Sequence, residues 1–528
     1  MQRLLLVILT LLLAGQAAAG ADEWVRKRLE NTAGAALLVG GSAVSATPSL
    51  RSFYEARAFS PAWTDKDGEP NDQASQLLEE IRNSRAEGLN PDDYHLANIT
   101  RLLGMPGSLG RQVDLELLFS DAWLVLASHY LGGRVNPETI DAEWVPSRRS
   151  GDLPLQLAQA LAQQQVVSSL RSLLPQQAAY ARLREELAKL RAQPPFEPMQ
   201  IGAGKLLRPG QRDVRVAALR ERLGLAGEGD LYDPPLAEAV RAFQRQHGLE
   251  ADGLIGEGSL RELNAGTAAR IDQVLANMER WRWMPAQFGE RHVRVNIAGY
   301  RLEMWDQGQM VDSMKVVIGK PYRRTPLFSD RIRYMVFNPT WEVPPKLAIQ
   351  DKLPILQRDP ASMQRSGFVA LQGSGSEERL IDLLSVDWSK VTARTFNYRL
   401  RQQPGPKNAL GRVKVMFPNR FNVYLHDTSN PELFARDARS FSSGCVRLEK
   451  PQRLVEWLLQ NDAAWPPARI GEAMAGGETR TVMLQAPVPV HIQYWTTWVD
   501  SQGKVQFLSD IYQRDAKLAE ALRSGVRE

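Results

Sequence analysis

Apolar positions recur with a helical period up to Trp283, with a period of two from His292, and lose regularity between Pro344 and Tyr398. After an Ala/Gly/Ser-rich stretch, Thr32 to Ser49, expected to be flexible, the helical part runs to about Gln193. Asp114 to Leu131 is apolar almost throughout, with Trp123, Leu124, Leu126 and Tyr130, and Leu183, Leu187 and Leu190 form one stripe before Pro194-Pro195 ends the pattern. This is the signature of a helical scaffold. His95 and His129 stand apart from any carboxylate or cysteine cluster and read as packing or surface residues.

Gln211 to Asn264 reads as a compact three-helix unit. Asp213 is expected to cap a first helix carrying Val216, Leu219 and Leu223, with Gly224 as its stop. A second helix runs from Leu236 towards Gly248, Asp252-Gly253 makes a turn, and Ser259 is expected to cap a short third helix. Ile271 to Trp283 predicts a further helix returning to the scaffold. Beyond it Val293, Val295 and Ile297 alternate with Arg294 and Asn296. The runs around Val311 to Ile318, Val413 to Phe417 and Val488 to Tyr494 continue the alternation. A multidomain α+β chain with a mostly β domain follows. The irregular segment at 345–398 is an insertion, either a lid beside a site or inert decoration.

The N-terminus adds a compartment. Arg3 precedes the apolar run Leu4 to Leu13, and Ala17-Ala18-Ala19 and Ala19-Gly20-Ala21 offer small-residue cleavage sites, the layout of a secretory signal over 1–21. The run is far short of the ~20 apolar residues a spanning helix needs, which disfavours an uncleaved inner-membrane anchor. A soluble or peripheral protein outside the cytoplasm is expected. The formal charge of +5 suits an acidic surface but includes no strong basic run of the kind nucleic-acid binding uses.

Cys445, the single cysteine, lies in FSSGCVRLE (Phe441 to Glu449), and His426 ends the strand-like run FNVYLHD nineteen positions upstream. A lone thiol has no partner for a disulfide within its chain, and beside an imidazole it suits a nucleophile. Alternation places Phe421, Val423 and Leu425 towards a core and Asn422, Tyr424 and His426 towards a cleft. Gly444 permits a tight bend that brings amide N–H groups to the sulfur, where an oxyanion donor contributes about 2.7–4 kcal/mol. A free thiol ionises near pH ~8.5, so an imidazole accepting its proton, to leave a thiolate–imidazolium pair, is the expected activation. Asp427 points to the opposite strand face, and a backbone carbonyl at that turn can fix the imidazole tautomer instead. Arg447 suits a substrate carboxylate or a structural ion pair, and Trp341 a cleft wall or core filling. A buried inert thiol is the bland alternative for Cys445.

Two resemblances rest on these residues. AVRAFQRQHGLEADGLIGEGSLREL resembles the three-helix peptidoglycan-binding domain, with a ligand-free helical bundle as the alternative. Tyr424-Leu425-His426 with Ser443-Gly444-Cys445-Val446-Arg447 resembles the signature of the L,D-transpeptidases. NPTWEVPP, GRVKVMFPN and ARSFSSGCVRLE look like its large Gram-negative branch. Many shorter members have a histidine where this chain has Ser443, so His426 is the sole candidate base.

The resemblance implies a domain plan: signal 1–21, helical scaffold 22–204, peptidoglycan-binding domain 205–266, a helix returning to the scaffold at 267–288, a catalytic domain 289–465 holding the lid, and C-terminal strands and helix 466–528. It implies acyl transfer on peptidoglycan tetrapeptide stems as donor and acceptor. Cys445 is the nucleophile, His426 the proton carrier, Gly444 an oxyanion donor, and Tyr424, Ser443, Arg447 and Trp341 the substrate-binding candidates. D-alanine leaves, a 3→3 cross-link forms, and carbapenems acylate the thiol. No metal or nucleotide cofactor is implied, and the chain has no HExxH, paired CxxC or phosphate-binding glycine loop. Other cell-wall synthases are conceivable partners. An L,D-carboxypeptidase or other hydrolase on the same residues and a non-catalytic wall-binding scaffold are the competing readings. A papain-like protease is opposed by the His-before-Cys order.

Overall fold

The computed structural model describes residues 20–30, 37–140, 144–145, 148–198, 200–499 and 503–524. The expected signal falls almost wholly outside them. Within the expected flexible stretch, Leu38–Val39 and Ser42–Ala43 pair as a small hairpin.

The scaffold is built on α1 (Leu109–Gly132), a helix buried along most of its length, and α2 (Ala178–Ala192), which buries Tyr180, Leu183 and Leu187. The three-helix unit comprises α3 (Val216–Arg222), α4 (Pro234–Gln246) and α5 (Glu257–Leu263). Two expected caps are corrected here. Asp213 accepts from the Arg215 amide (2.9 Å) and pairs with its guanidinium, lying before the helix. Ser259 lies inside α5 and donates to the Leu254 carbonyl at 3.2 Å, while Gly256 is the cap position. The cap of α4 is Asp233, which accepts from Leu236 N at 3.1 Å.

The returning helix α6 (Thr267–Arg282) joins scaffold to sheet. Glu279 accepts from Val135 N and Arg282, both at 2.7 Å, and the Trp283 indole donates to the Val135 carbonyl at 3.0 Å. Buried charge tolerated this deep is paired and hydrogen-bonded.

The β domain begins with β1 (Arg291–Asn296), β2 (Arg301–Asp306), β3 (Gln309–Gly319) and β4 (Leu327–Phe337). The insertion and the residues flanking it add β5 (Trp341–Glu342), β6 (Phe368–Gln372), β7 (Arg379–Ile381) and β8 (Arg399–Gln402). Then come β9 (Val413–Met416), β10 (Leu425–His426), β11 (Ser440–Ser442), β12 (Val446–Leu448) and β13 (Arg480–Gln493). Pairing runs β9–β10–β12–β3–β2–β1–β13–β4, and β4 pairs again with β9, so the sheet closes on itself. Closure removes exposed edges. The pair β10–β12 is parallel within an otherwise mostly antiparallel ring.

The insertion folds more completely than its irregular pattern predicts. These four strands form a separate sheet in the order β7–β6–β8–β5, and Leu353, Leu356, Met363, Phe368, Trp388 and Leu400 make a core of their own. The three-helix unit also has its own core, around Val216, Leu219, Tyr232, Val240 and Leu263. Scaffold and β domain share one continuous core instead, from Trp123 and Leu183 through Trp281 to Val295 and Leu448.

Candidate active site

Register assembles the site. In the parallel pair Leu425 lies opposite Val446 and His426 opposite Arg447, while Val446 N donates to the Tyr424 carbonyl at 3.2 Å. Across the other edge of β10, Lys414 lies opposite His426. Paired residues share a face, so Leu425, Val446 and Val415 fill the core, all fully buried. Lys414, Tyr424, His426, Cys445 and Arg447 then stand together on the other face. The rings of Tyr424 and His426 meet edge to face at 5.6 Å, and Lys414 Nζ sits 4.0 Å from the Tyr424 ring centroid.

The expected strand over Phe421 to His426 is shorter than the alternation suggests, because Asn422 has φ of 54° and bends the chain. The bend serves the thiol: Cys445 Sγ donates to the Asn422 carbonyl at 3.9 Å.

His426 Nδ1 lies 2.5 Å from the Asp427 carbonyl oxygen. A carbonyl only accepts, so Nδ1 carries the hydrogen and Nε2 is left as the basic nitrogen. The Asp427 carboxylate is occupied elsewhere, accepting from Arg412 N (2.8 Å) and Thr428 N (2.7 Å).

Burial, followed by repulsion from Arg447 and Lys414, lowers the His426 pKa to about 3. Burial also raises the Cys445 thiol above its ordinary value, against the opposing pull of Tyr424, Lys414 and Arg447. Burial therefore works against the expected thiolate–imidazolium pair, because desolvation penalises both charges.

Gly444 also departs from expectation. Its φ of 119° is a conformation that suits glycine, but its N–H donates to Ser442 Oγ at 3.1 Å. That amide is engaged in this state and reaches an oxyanion only on leaving Ser442.

Ser443 Oγ accepts from Arg323 at 3.1 Å, and the same guanidinium grips Asp351 at 2.5 and 2.7 Å and Gln350 at 3.0 Å. Asp351 lies in a π-helical turn, Ala348–Lys352, at the root of the insertion. One arginine thus ties the insertion to the residue two before the thiol.

Arg447 makes no carboxylate pair among the described residues. Nη1 touches Thr428 Oγ1 at 3.5 Å and the buried Nε has no hydrogen-bond partner among the described residues, while Glu432 still draws on the guanidinium electrostatically. Trp341 stands at the seam of insertion and cleft, with Lys352 Nζ 5.4 Å from its ring centroid and Phe368 packed edge-on at 6.1 Å.

Residues 290–490 match the family described as "L,D-transpeptidase catalytic domain". The chain carries an L,D-transpeptidase catalytic domain. Ahead of this catalytic domain, residues 48–187 match a "Scaffold domain" and 216–263 a "Putative peptidoglycan binding domain". A curated Haemophilus influenzae protein named "Putative L,D-transpeptidase" is 34% identical over 251 residues, which are 47% of this chain and 50% of that protein. The match therefore spans half of the relative's length. Among solved structures, L,D-transpeptidase 3 from Mycobacterium tuberculosis is 12% identical with a TM-score of 0.19, covering 39% of this chain and 61% of that one. An L,D-transpeptidase from Xylanimonas cellulosilytica is 14% identical with a TM-score of 0.17, covering 55% and 99%. Scores this low carry no argument.

Inside the L,D-transpeptidase catalytic domain, sequence reasoning overlooked Lys414, Arg323 and Asp351. Lys414 had a signal, the polar position between Val413 and Val415 of an alternating strand. The Arg323–Asp351 pair had none, since the two residues meet only when the insertion folds back.

Proposed function

We propose that this chain is a periplasmic peptidoglycan L,D-transpeptidase that forms 3→3 cross-links through a Cys445 acyl-enzyme. The observation that carries the reading is the single sheet face holding thiol, imidazole, phenol and two cations within the matched catalytic domain. The peptidoglycan-binding match supports the substrate, and the secretory layout of the first 21 residues supports the compartment.

In the first half-reaction, Cys445 Sγ bonds to the carbonyl carbon of the third stem residue of a tetrapeptide donor as its proton passes to His426 Nε2. The bond to the terminal D-alanine breaks, and His426 returns that proton to the leaving amine. In the second, the side-chain amine of an acceptor diaminopimelate attacks the thioester, surrenders a proton to Nε2, and the sulfur departs as thiol. Lys414 and Arg447 stabilise the negative charge that gathers on sulfur as it ionises, where low dielectric magnifies their effect. The unpaired Arg447 edge suits a stem carboxylate.

The test is incubation with purified tetrapeptide muropeptides and mass spectrometry of the products. Dimers with released D-alanine are expected, and Cys445→Ala abolishes them. Tripeptide monomers alone make the enzyme an L,D-carboxypeptidase instead. N-terminal sequencing of the periplasmic protein checks the signal.

A further inference from the structure

The three-helix unit reaches the nucleophile's approach segment through Glu250 and the neighbouring Ala251 amide. The loop after α4 lays Glu250 against residues 436–438. One carboxylate oxygen accepts from Arg436 Nε at 2.7 Å and the other from Ala438 N at 3.1 Å. Beside it Ala251 N donates to the Asp437 carboxylate at 3.1 Å, and Ser509 N donates to the His247 carbonyl at 3.0 Å.

Both ends of this contact are rigid where rigidity matters. On the module side, Gln244 is buried at the end of α4. Its amide donates to the Leu254 carbonyl (2.9 Å) and Ser259 Oγ (3.1 Å), and its oxygen accepts from Gly253 N at 2.9 Å. The loop is thereby braced against a unit with its own core. On the catalytic side, Arg439 ties the segment to the Tyr300 carbonyl (3.1 Å) and Val316 carbonyl (3.2 Å), and Ile318 N donates to the Arg439 carbonyl at 2.9 Å.

The segment then becomes β11, three residues long and paired only with the end of β3, with Cys445 immediately beyond Ser443-Gly444. So short a strand has little intrinsic hold on its register. A carboxylate fixing one backbone amide and one guanidinium just upstream supplies what the ladder lacks.

We propose that Glu250 is a positioning residue for Cys445, so that the peptidoglycan-binding module forms part of the support of the catalytic thiol as well as a tether. The kinetic part of this inference rests on the proposed transpeptidase reading; the positional part does not. A displacement near 1 Å at a nucleophile costs up to about a hundred-fold in rate, and loss of one support among several is expected to cost about ten-fold.

The experiment uses the full mature chain with Glu250→Ala, Glu250→Gln and, as a control, Glu238→Gln on the exposed face of α4. Three quantities are measured: the rate of Cys445 alkylation by iodoacetamide across pH, kcat and KM on tetrapeptide muropeptides, and the melting temperature. Glu250→Ala is expected to lower kcat about ten-fold at unchanged KM and to slow alkylation. Glu250→Gln, which keeps an acceptor for Ala438 N, is expected to fall between it and wild type, and Glu238→Gln to match wild type. Because Glu250→Gln preserves shape, a folded Glu250→Gln and Glu250→Ala pair with wild-type alkylation rate and kcat overturns the proposal. So does a shifted melting temperature with unchanged alkylation, which marks a purely structural contact. Wild-type protein that yields no muropeptide product while alkylation still responds to Glu250 defeats the transpeptidase reading and upholds the positioning role.

Discussion

The burial of thiol and imidazole makes a sharp prediction about how Cys445 reacts with a small uncharged alkylating reagent. Only the thiolate attacks, so the rate follows the ionised fraction. Burial places the thiol above the ordinary ~8.5 of a free cysteine. Ionising a thiol of pKa ~8.5 at pH 7 costs about 2 kcal/mol, at 1.36 kcal/mol for each unit, and the raised thiol costs more. His426, held down to about 3 by burial, resists standing as an imidazolium at pH 7 and so recovers little of this cost. The alkylation rate of free enzyme should therefore climb about ten-fold per pH unit from 5.5 to 8.5 with no plateau. Intact-mass kinetics with iodoacetamide read this directly, with Cys445→Ala as the blank. A preformed ion pair gives a flat region beginning near or below neutrality. An inflection below pH 8 would refute the reasoning, because it would show a thiolate already present in the resting enzyme.

Tyr424→Phe removes a hydroxyl that helps hold the thiol pKa down, and should slow alkylation at pH 7 by about five-fold, the worth of ~1 kcal/mol, without lowering the melting temperature. Arg323→Ala frees Asp351 and Ser443 together, and limited proteolysis should then cut within 345–365 faster than in wild type; unchanged cleavage there would separate the insertion from the thiol loop. Acid should destabilise the fold steeply. Burial lowers His129 and His426 to about 3 and His247, His292 and His491 to about 4, so these five of the six histidines stay neutral when folded. Unfolded histidines take protons below pH ~6.5, so each group's contribution is intact above that value and is lost as pH falls towards its folded pKa, by up to about 1.4 kcal/mol per unit. Denaturant midpoints measured from pH 7 to 4.5 should fall throughout that window, and a flat profile would contradict it.

The period of two revealed the β domain because one face of each strand is buried: Val293, Val295, Val413 and Val415 are fully inaccessible. What it could not reveal was closure, since β4 and β9 lie far apart in sequence and alternate alike whether or not they pair. The insertion was misread for a related reason. Its strands are short, and Leu380 and Leu384 stand exposed beside buried Leu383, so apolar residues do not mark one face. The alternation of Tyr424 with His426 and the Gly-Cys-x-Arg spacing marked candidates that the register of the two short strands then brings to one face. Their protonation was not legible, because it depends on how deeply the closed sheet buries them. Nor was the Gly444 amide's partner, a hydroxyl only two residues back, since sequence does not say which way Ser442 Oγ turns.

The distribution of cores bears on which parts can move without unfolding. The insertion and the three-helix unit bury their apolar residues in their own clusters, so either can shift as a body while exposing little beyond its contact surface. The scaffold cannot, because Trp281, Trp283 and their neighbours belong to the same core as the barrel. The two movable bodies each touch the thiol's approach by a charged group: Arg323 gripping Asp351 of the insertion on one side, and Glu250 of the module gripping Arg436 on the other. Charged contacts of this kind loosen with salt far more readily than the shared apolar core does. Raising ionic strength should therefore change the reactivity of Cys445 before it changes the melting of the barrel, and Arg323→Ala combined with Glu250→Ala should abolish that salt dependence. A salt effect that survives the double substitution would locate the sensitivity in Lys414 and Arg447 themselves.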